Sequence, residues 1–161
     1  MAKKAGKKNK LVQANLTRRA LAYLVDTTIL NLILLSPIIN QIKKIVGDNT
    51  SFISSYQFFI NNPQKVSAVL VLSLILIILS LLYYSILEFK LRQTIGKMLF
   101  DIKVMSKKAN FKYSQTLIRN ISKPISLLFI FDIIYLIVKK QNQRFFEKIS
   151  HTVVLRKETK T

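Results

Sequence analysis

The chain has 161 residues, one domain's worth, and combines a half-hydrophobic composition with a formal net charge of +19, from 26 Lys and Arg against 7 Asp and Glu. It has no cysteine, one histidine (His151), three glycines and no P-loop or GxGxxG pattern, which excludes disulfides, thiolate or multi-histidine metal sites and nucleotide cradles, and leaves little room for a Ser/His/Asp triad. An enzyme is therefore not expected, nor a cofactor; apolar runs flanked by basic clusters point to a small membrane protein.

The N-terminal MAKKAGKKNK carries five lysines and almost nothing apolar. Residues 1–16 are predicted to be a disordered basic tail. Its expected partner is the anionic headgroup layer of the bilayer, worth about 1 kcal/mol per lysine near the surface, rather than nucleic acid. A membrane domain is expected over residues 17–156, followed by a polar end at 157–161. Its first span is predicted at about residues 20–39, roughly the twenty residues that cross ~30 Å of hydrocarbon. The eleven Leu, Ile and Val residues there contribute roughly −3 to −7 kcal/mol, against roughly +2.5 to +3.5 for Asp26, so the segment inserts. Its length, its aspartate and the absence of a small-residue cleavage site fit a retained anchor better than a signal peptide.

Residues 40–65 read as a loop in which Phe52, Tyr56, Phe59 and Ile60 have the period of a short amphipathic helix on the outer surface. The loop also holds a glycosylation triplet, Asn49-Thr50-Ser51. The second span, about 66–87, is uncharged, with Tyr83 and Tyr84 as interfacial anchors. A third helical segment is predicted at about 119–138, but its apolar run, Ile125 to Val138, is only about 14 residues, with Pro124 at its start and Asp132 inside. That length predicts a re-entrant or half-spanning helix. The tail through Arg19, Lys90 to Lys112 and Lys139 to Lys160 carry seven Lys/Arg each, against three in the 40–65 loop. The positive-inside rule then places the N-terminus and those three regions in the cytoplasm. The runs DIKVMS (101–106) and HTVVLR (151–156) are expected to pair as a two-stranded cytoplasmic element. The predicted fold class is an all-α membrane protein with that small β element.

Arg19, Ala22 and Asp26 share one helical face. Arg19 and Asp26 are about 10 Å apart along the axis, so Asp26 needs a partner from another helix. Small Ala22 between them admits a close neighbour. Glu88, at the cytoplasmic end of the second span, meets the level of Arg18 and Arg19, and Arg119 can snorkel toward Asp26. A buried cluster of Arg19, Asp26, Glu88 and Arg119 is expected. Within it Asp26 is an ion- or proton-binding carboxylate, one half of a structural clamp with Arg119, or a carboxylate near enough to the interface to be hydrated. The Ser73, Ser80 and Tyr84 stripe is expected to glue helices together, Asp132 to help the chain reverse or to lie hydrated, and His151 to sit on the surface beside a strand.

These residues resemble the signature of the RDD family of small integral membrane proteins. Its R-x-x-A-x-x-x-D pattern is matched by Arg19, Ala22 and Asp26, and its T-P-G-K…V element by Thr94, Ile95, Gly96, Lys97 and Val104. The arginine of the third segment is matched by Arg119, and the D-x-x-x-G-T-x-V ending by EKISHTVV. Order and spacing hold from about Thr17 to Leu155. Three positions depart: Glu147 replaces the second aspartate, His151 the glycine and Ile95 the proline. The resemblance implies that Glu147 joins the charged set and that Thr94, Gly96, Lys97 and Thr152 carry the motif. Molecular function in the family is unsettled: transport, including cation/proton exchange, has been proposed, and other members look like accessory subunits. Two readings follow. One is transport by a homo-oligomer, with Asp26 titrating and Glu88 or Glu147 assisting. The other is a non-catalytic accessory or scaffold subunit of a larger membrane complex. The plasma membrane is the expected location.

Overall fold

The computed structural model describes residues 10–47, 52–108, 110–139 and 143–158. The glycosylation triplet and the first nine residues of the tail lie outside the described residues. The long uncharged run forms α4, Pro63–Leu91, a 29-residue helix with proline in its first turn, where a missing N–H costs nothing. At 1.5 Å per residue it is about 43 Å long, more than the ~30 Å hydrocarbon core needs. It ends where Arg92 turns left-handed at φ 60 and its N–H bonds back to the Glu88 carbonyl at 3.1 Å. The Arg92 guanidinium lies 3.9 Å from the Phe111 ring centroid, which ties this turn to the chain that follows.

The first apolar segment is not one straight rod. It consists of α1 (Leu16–Leu30), a π-helical stretch (Asn31–Leu35) and α2 (Ser36–Val46). The two arms are bent by 66°. Pro37 is the cause: it has no N–H to give and its ring crowds the carbonyl of Ile33, so the ladder widens before it and turns. By length and composition α4 alone can cross a bilayer, and α1 with α2 can do so if the bent pair is one span. The short amphipathic helix is present as α3, Phe52–Asn61, with Tyr56, Phe59 and Ile60 exposed.

After α4 the chain makes α5 (Ile95–Leu99), β2 (Ile102–Ser106), α6 (Tyr113–Asn120), α7 (Ser126–Val138), α8 (Phe145–Ile149) and β3 (Thr152–Glu158). The expected third helix over 119–138 is thus two helices. Pro124 cannot continue a helix and restricts Lys123 before it, so the chain turns over residues 121–125. The expected strand pair is present, with Val104 opposite Val154, but the sheet has three strands in the order β1-β3-β2. The third is β1, Lys10–Gln13, so this part of the predicted disordered tail is ordered. Val12 pairs with Arg156, and the Ala14 N–H donates to the Val154 carbonyl at 3.1 Å. Ala14, Ile102 and Val154 close over Ala22, seating the sheet on the foot of α1.

The interior is the reverse of a soluble protein's. Among the described residues sixteen buried side chains are polar or charged against nine apolar ones, and the largest fully buried one is Arg119. Leu70, Val71 and Leu74 of α4 and Leu127, Ile137 and Val138 of α7 are all more than half exposed. Apolar outside and charge inside is how a chain is arranged when its solvent is lipid.

Candidate functional site

Asp26 is 1% exposed on the third turn of α1, one turn beyond fully buried Ala22. The short helix α5 crosses α1 at this point. A Cβ on Gly96 would lie 2.1 Å from the Ala22 carbonyl oxygen, so only glycine lets the two backbones touch. The approach aims α5's first N–H groups at the carboxylate. Gly96 N–H donates to Asp26 Oδ1 at 2.7 Å, the Thr94 hydroxyl donates to Oδ2, and the Tyr83 hydroxyl donates to Oδ1 at 3.2 Å. Asp26 therefore caps a helix that belongs to another part of the chain. Arg119 does not reach it, and among the described residues no Lys or Arg forms an ion pair with Asp26.

Arg119 is engaged elsewhere. It stands at the C-terminal end of α6, fully buried between two other carboxylates. Its Nε makes an ion contact with Glu88 Oε2 at 3.0 Å, and its Nη2 donates to Glu147 Oε1 at 3.1 Å. Its Nη1 donates to the Thr152 hydroxyl at 3.3 Å, which links the network to β3. Glu88 Oε1 also takes Lys97 Nζ, and Lys123 Nζ at 3.3 Å, while Oε2 accepts from Asn120 Nδ2 at 2.9 Å. Glu147 Oε1 takes Arg19 as well, and Arg144 through Nε and Nη2, both at 3.2 Å. Arg144 continues to Asp132, Nη1 to Oδ2 at 3.3 Å. Asp132 is also held by the Ser122 hydroxyl at 2.9 Å and the Phe146 N–H at 3.2 Å. Asp132 is thus fully buried and paired, not hydrated.

Of the residues expected to cluster, Arg19, Glu88, Arg119 and Glu147 lie in one chain of ion pairs, with Asp26 beside it through Gly96 and Lys97 in it. Thr94 holds Asp26 and Thr152 holds Arg119. Lys123, Arg144, Asn120, Ser122 and Tyr83 were not anticipated as members. In the sequence Arg144 counts among the cytoplasmic basic residues, and nothing gives Lys123 a role. The usable signal was Arg144 three residues before Glu147, the spacing at which a side chain returns to its own helix start. Of the second-span stripe, Ser80 bonds to its own helix at the Leu76 carbonyl (2.7 Å), while Tyr84 stacks toward Tyr23.

Burial pushes the Lys97 ammonium down to about 8; neighbouring Glu88 offsets part of that and Arg119 adds to it. Lys123 is pushed well below the ordinary lysine range by burial, with Glu88 opposing and Lys97, Arg144 and Arg119 reinforcing. Burial alone raises the Glu147 carboxyl, but Arg19, Arg144 and Arg119 together outweigh it and hold it far below its ordinary 4.5. A carboxyl lowered on folding gives stability that is complete above its unfolded value and is lost as pH falls below it. Melting temperature in detergent is therefore expected to fall steeply as pH drops below 4.5, and Glu147→Gln, less stable at neutral pH, is expected to flatten that slope.

His151 is exposed and sits at the start of β3 with φ 51. His151, which stands where the resembled signature has glycine, thus takes a left-handed backbone that a side chain disfavours. His151→Gly is expected to stabilise the protein by about 0.5–1 kcal/mol, the relief of the left-handed backbone less glycine's entropy, read by thermal unfolding.

A membrane-length apolar helix, a polar interior and a small sheet closing one end of the helices define a helical membrane protein whose charges are turned inward. The chain belongs to the RDD family, whose family model matches residues 13–151. No curated protein and no solved structure matches it.

Proposed function

We propose that this RDD membrane protein exchanges a cation for protons as a homo-oligomer, without a catalytic centre or cofactor. The bent pair α1–α2 and the helix α4 are its two spans, the sheet and the N-terminus are cytoplasmic, and the membrane is the plasma membrane. The lysine-rich tail rests on anionic headgroups. The third segment is re-entrant in this reading, which is supported by Ser122 before α7 and Arg144 and Phe146 after it all bonding to Asp132. The observation that carries the reading is the enclosed network on Glu88 and Glu147, which places titratable groups at the end of a membrane-length helix. Two spans cannot enclose a pathway, so copies must assemble.

A second reading, an accessory subunit of a larger membrane complex, is favoured by Asp26, which among the described residues meets neutral donors and holds α5 on α1 as a clamp does. The test is a proton gradient imposed across proteoliposomes, followed as Na⁺ or K⁺ is added. Cation-dependent collapse, absent from protein-free vesicles, supports exchange. No collapse with folded protein removes the exchange reading and leaves the accessory one.

A further inference from the structure

We propose that the core contains a binding site for one exchangeable proton, shared by the amines of Lys97 and Lys123 across a single carboxylate oxygen, Oε1 of Glu88. This rests on the exchange reading and names its proton carrier as a lysine pair rather than Asp26.

Among the described residues the charged groups of the core are four carboxylates (Asp26, Glu88, Asp132, Glu147), three guanidinium groups (Arg19, Arg119, Arg144) and two lysines. Every one of these side chains is at most 12% exposed. Guanidinium groups do not release their protons. Both lysines and one side of Arg119 meet the single carboxylate of Glu88. A second ammonium would be a buried charge without a counter-charge, and such a group gives up its proton instead.

The geometry gives the lysines no separate acceptors. Lys97 from α5 and Lys123 from the turn before α7 both end on Glu88 Oε1, while Oε2 is taken by Asn120 Nδ2 and faces Arg119 Nε. Lys123 Nζ also lies 3.6 Å from the Tyr84 ring centroid, which accepts a cation but does not bind a proton. Arg119 and Arg144 bear on both lysines, and the remaining charges lie further along the same network. Arg19 and Asp26 come from α1, Arg119 from α6, Arg144 and Glu147 from the start of α8, and Asp132 from α7 behind Arg144. Asn120 Oδ1 is buried in the same place without a hydrogen-bond partner, an acceptor that an incoming N–H can use. The step is a plain proton transfer: one ammonium loses H⁺ and becomes an amine, the other keeps its charge, and no bond between heavy atoms changes. Both lysines are pushed below the ordinary range by burial, Lys97 to about 8.

The test is a pH titration of the full chain in nanodiscs, following the lysine side-chain ¹⁵Nζ and ¹³Cε signals by NMR, assigned with Lys97→Gln and Lys123→Gln. The expected result is the loss of one proton from the pair near pH 8. In Lys97→Gln the lone Lys123 should keep its charge, its midpoint rising toward the ordinary lysine range. Lys97→Arg, which preserves the ion pair and protects the fold, should keep a fixed charge beside Glu88 and leave Lys123 as the group that gives up the proton, its midpoint not raised. Two ammonium signals persisting to pH 10, or an Lys123 midpoint unmoved by Lys97→Gln, overturns the proposal. A titrating pair with no cation-coupled flux in proteoliposomes keeps the proton site and removes the exchanger; flux without the titration does the reverse.

Discussion

Glu88→Gln is expected to cost about 3–5 kcal/mol, the range for removing one partner of a buried charge network. The carboxylate is fully buried and is the counter-charge for Lys97, Lys123 and one side of Arg119. The amide keeps the volume and takes away the charge, so three cations are left facing a neutral group. Whole-domain stabilities are only ~5–15 kcal/mol, so the variant should melt far below wild type in detergent or fail to accumulate. The cause is separable from packing. Adding Lys97→Met and Lys123→Met removes the stranded cations and should recover part of the loss. No recovery would assign the damage to shape rather than charge.

Gly96→Ala is the second large effect. The new methyl carbon would sit 2.1 Å from the Ala22 carbonyl oxygen and 3.0 Å from the Asp26 carboxyl carbon, so α5 must lift off α1. Lifting it breaks the Gly96 and Thr94 hydrogen bonds to a buried carboxylate. Overpacking costs about 1–3 kcal/mol and each lost bond to a charged group about 1.5–3 kcal/mol, so a total loss of at least about 4 kcal/mol is expected by thermal unfolding. The clash is with a backbone carbonyl. Ala22→Gly should therefore fail to rescue it, whereas a rescue would mean that side-chain crowding, not backbone contact, sets the requirement.

What the sequence made legible follows from where its signals are strong. The uncharged run from Val66 to Leu87 has no soluble explanation, and α4 contains it whole. The β-branched runs around Val104 and Val154 pair as their pattern implies, and Pro37 marks the break in the first apolar segment. β1 was hidden because its four residues, KLVQ, are too short to show a period beside a run of lysines. Arg19, Asp26, Glu88 and Arg119 stood out as charges in apolar surroundings. Who meets whom did not. Asp26 is satisfied by a backbone N–H and two hydroxyl groups, which carry no charge signal, so an arginine looked like the natural partner. Lys123 and Arg144 were masked by the surplus of basic residues: in a chain of net charge +19 a cation inside the network looks the same as one in the headgroup layer.

The first and last motifs of the chain meet inside the protein through Arg19 and Glu147, 128 residues apart. A double-mutant cycle with Arg19→Met, Glu147→Gln and the pair, measured by reversible unfolding in mild detergent at neutral pH, tests that contact directly. The predicted result is a coupling of about 1–3 kcal/mol, as for residues in one buried network. Additivity to within about 0.5 kcal/mol, the behaviour of independent sites, would contradict it.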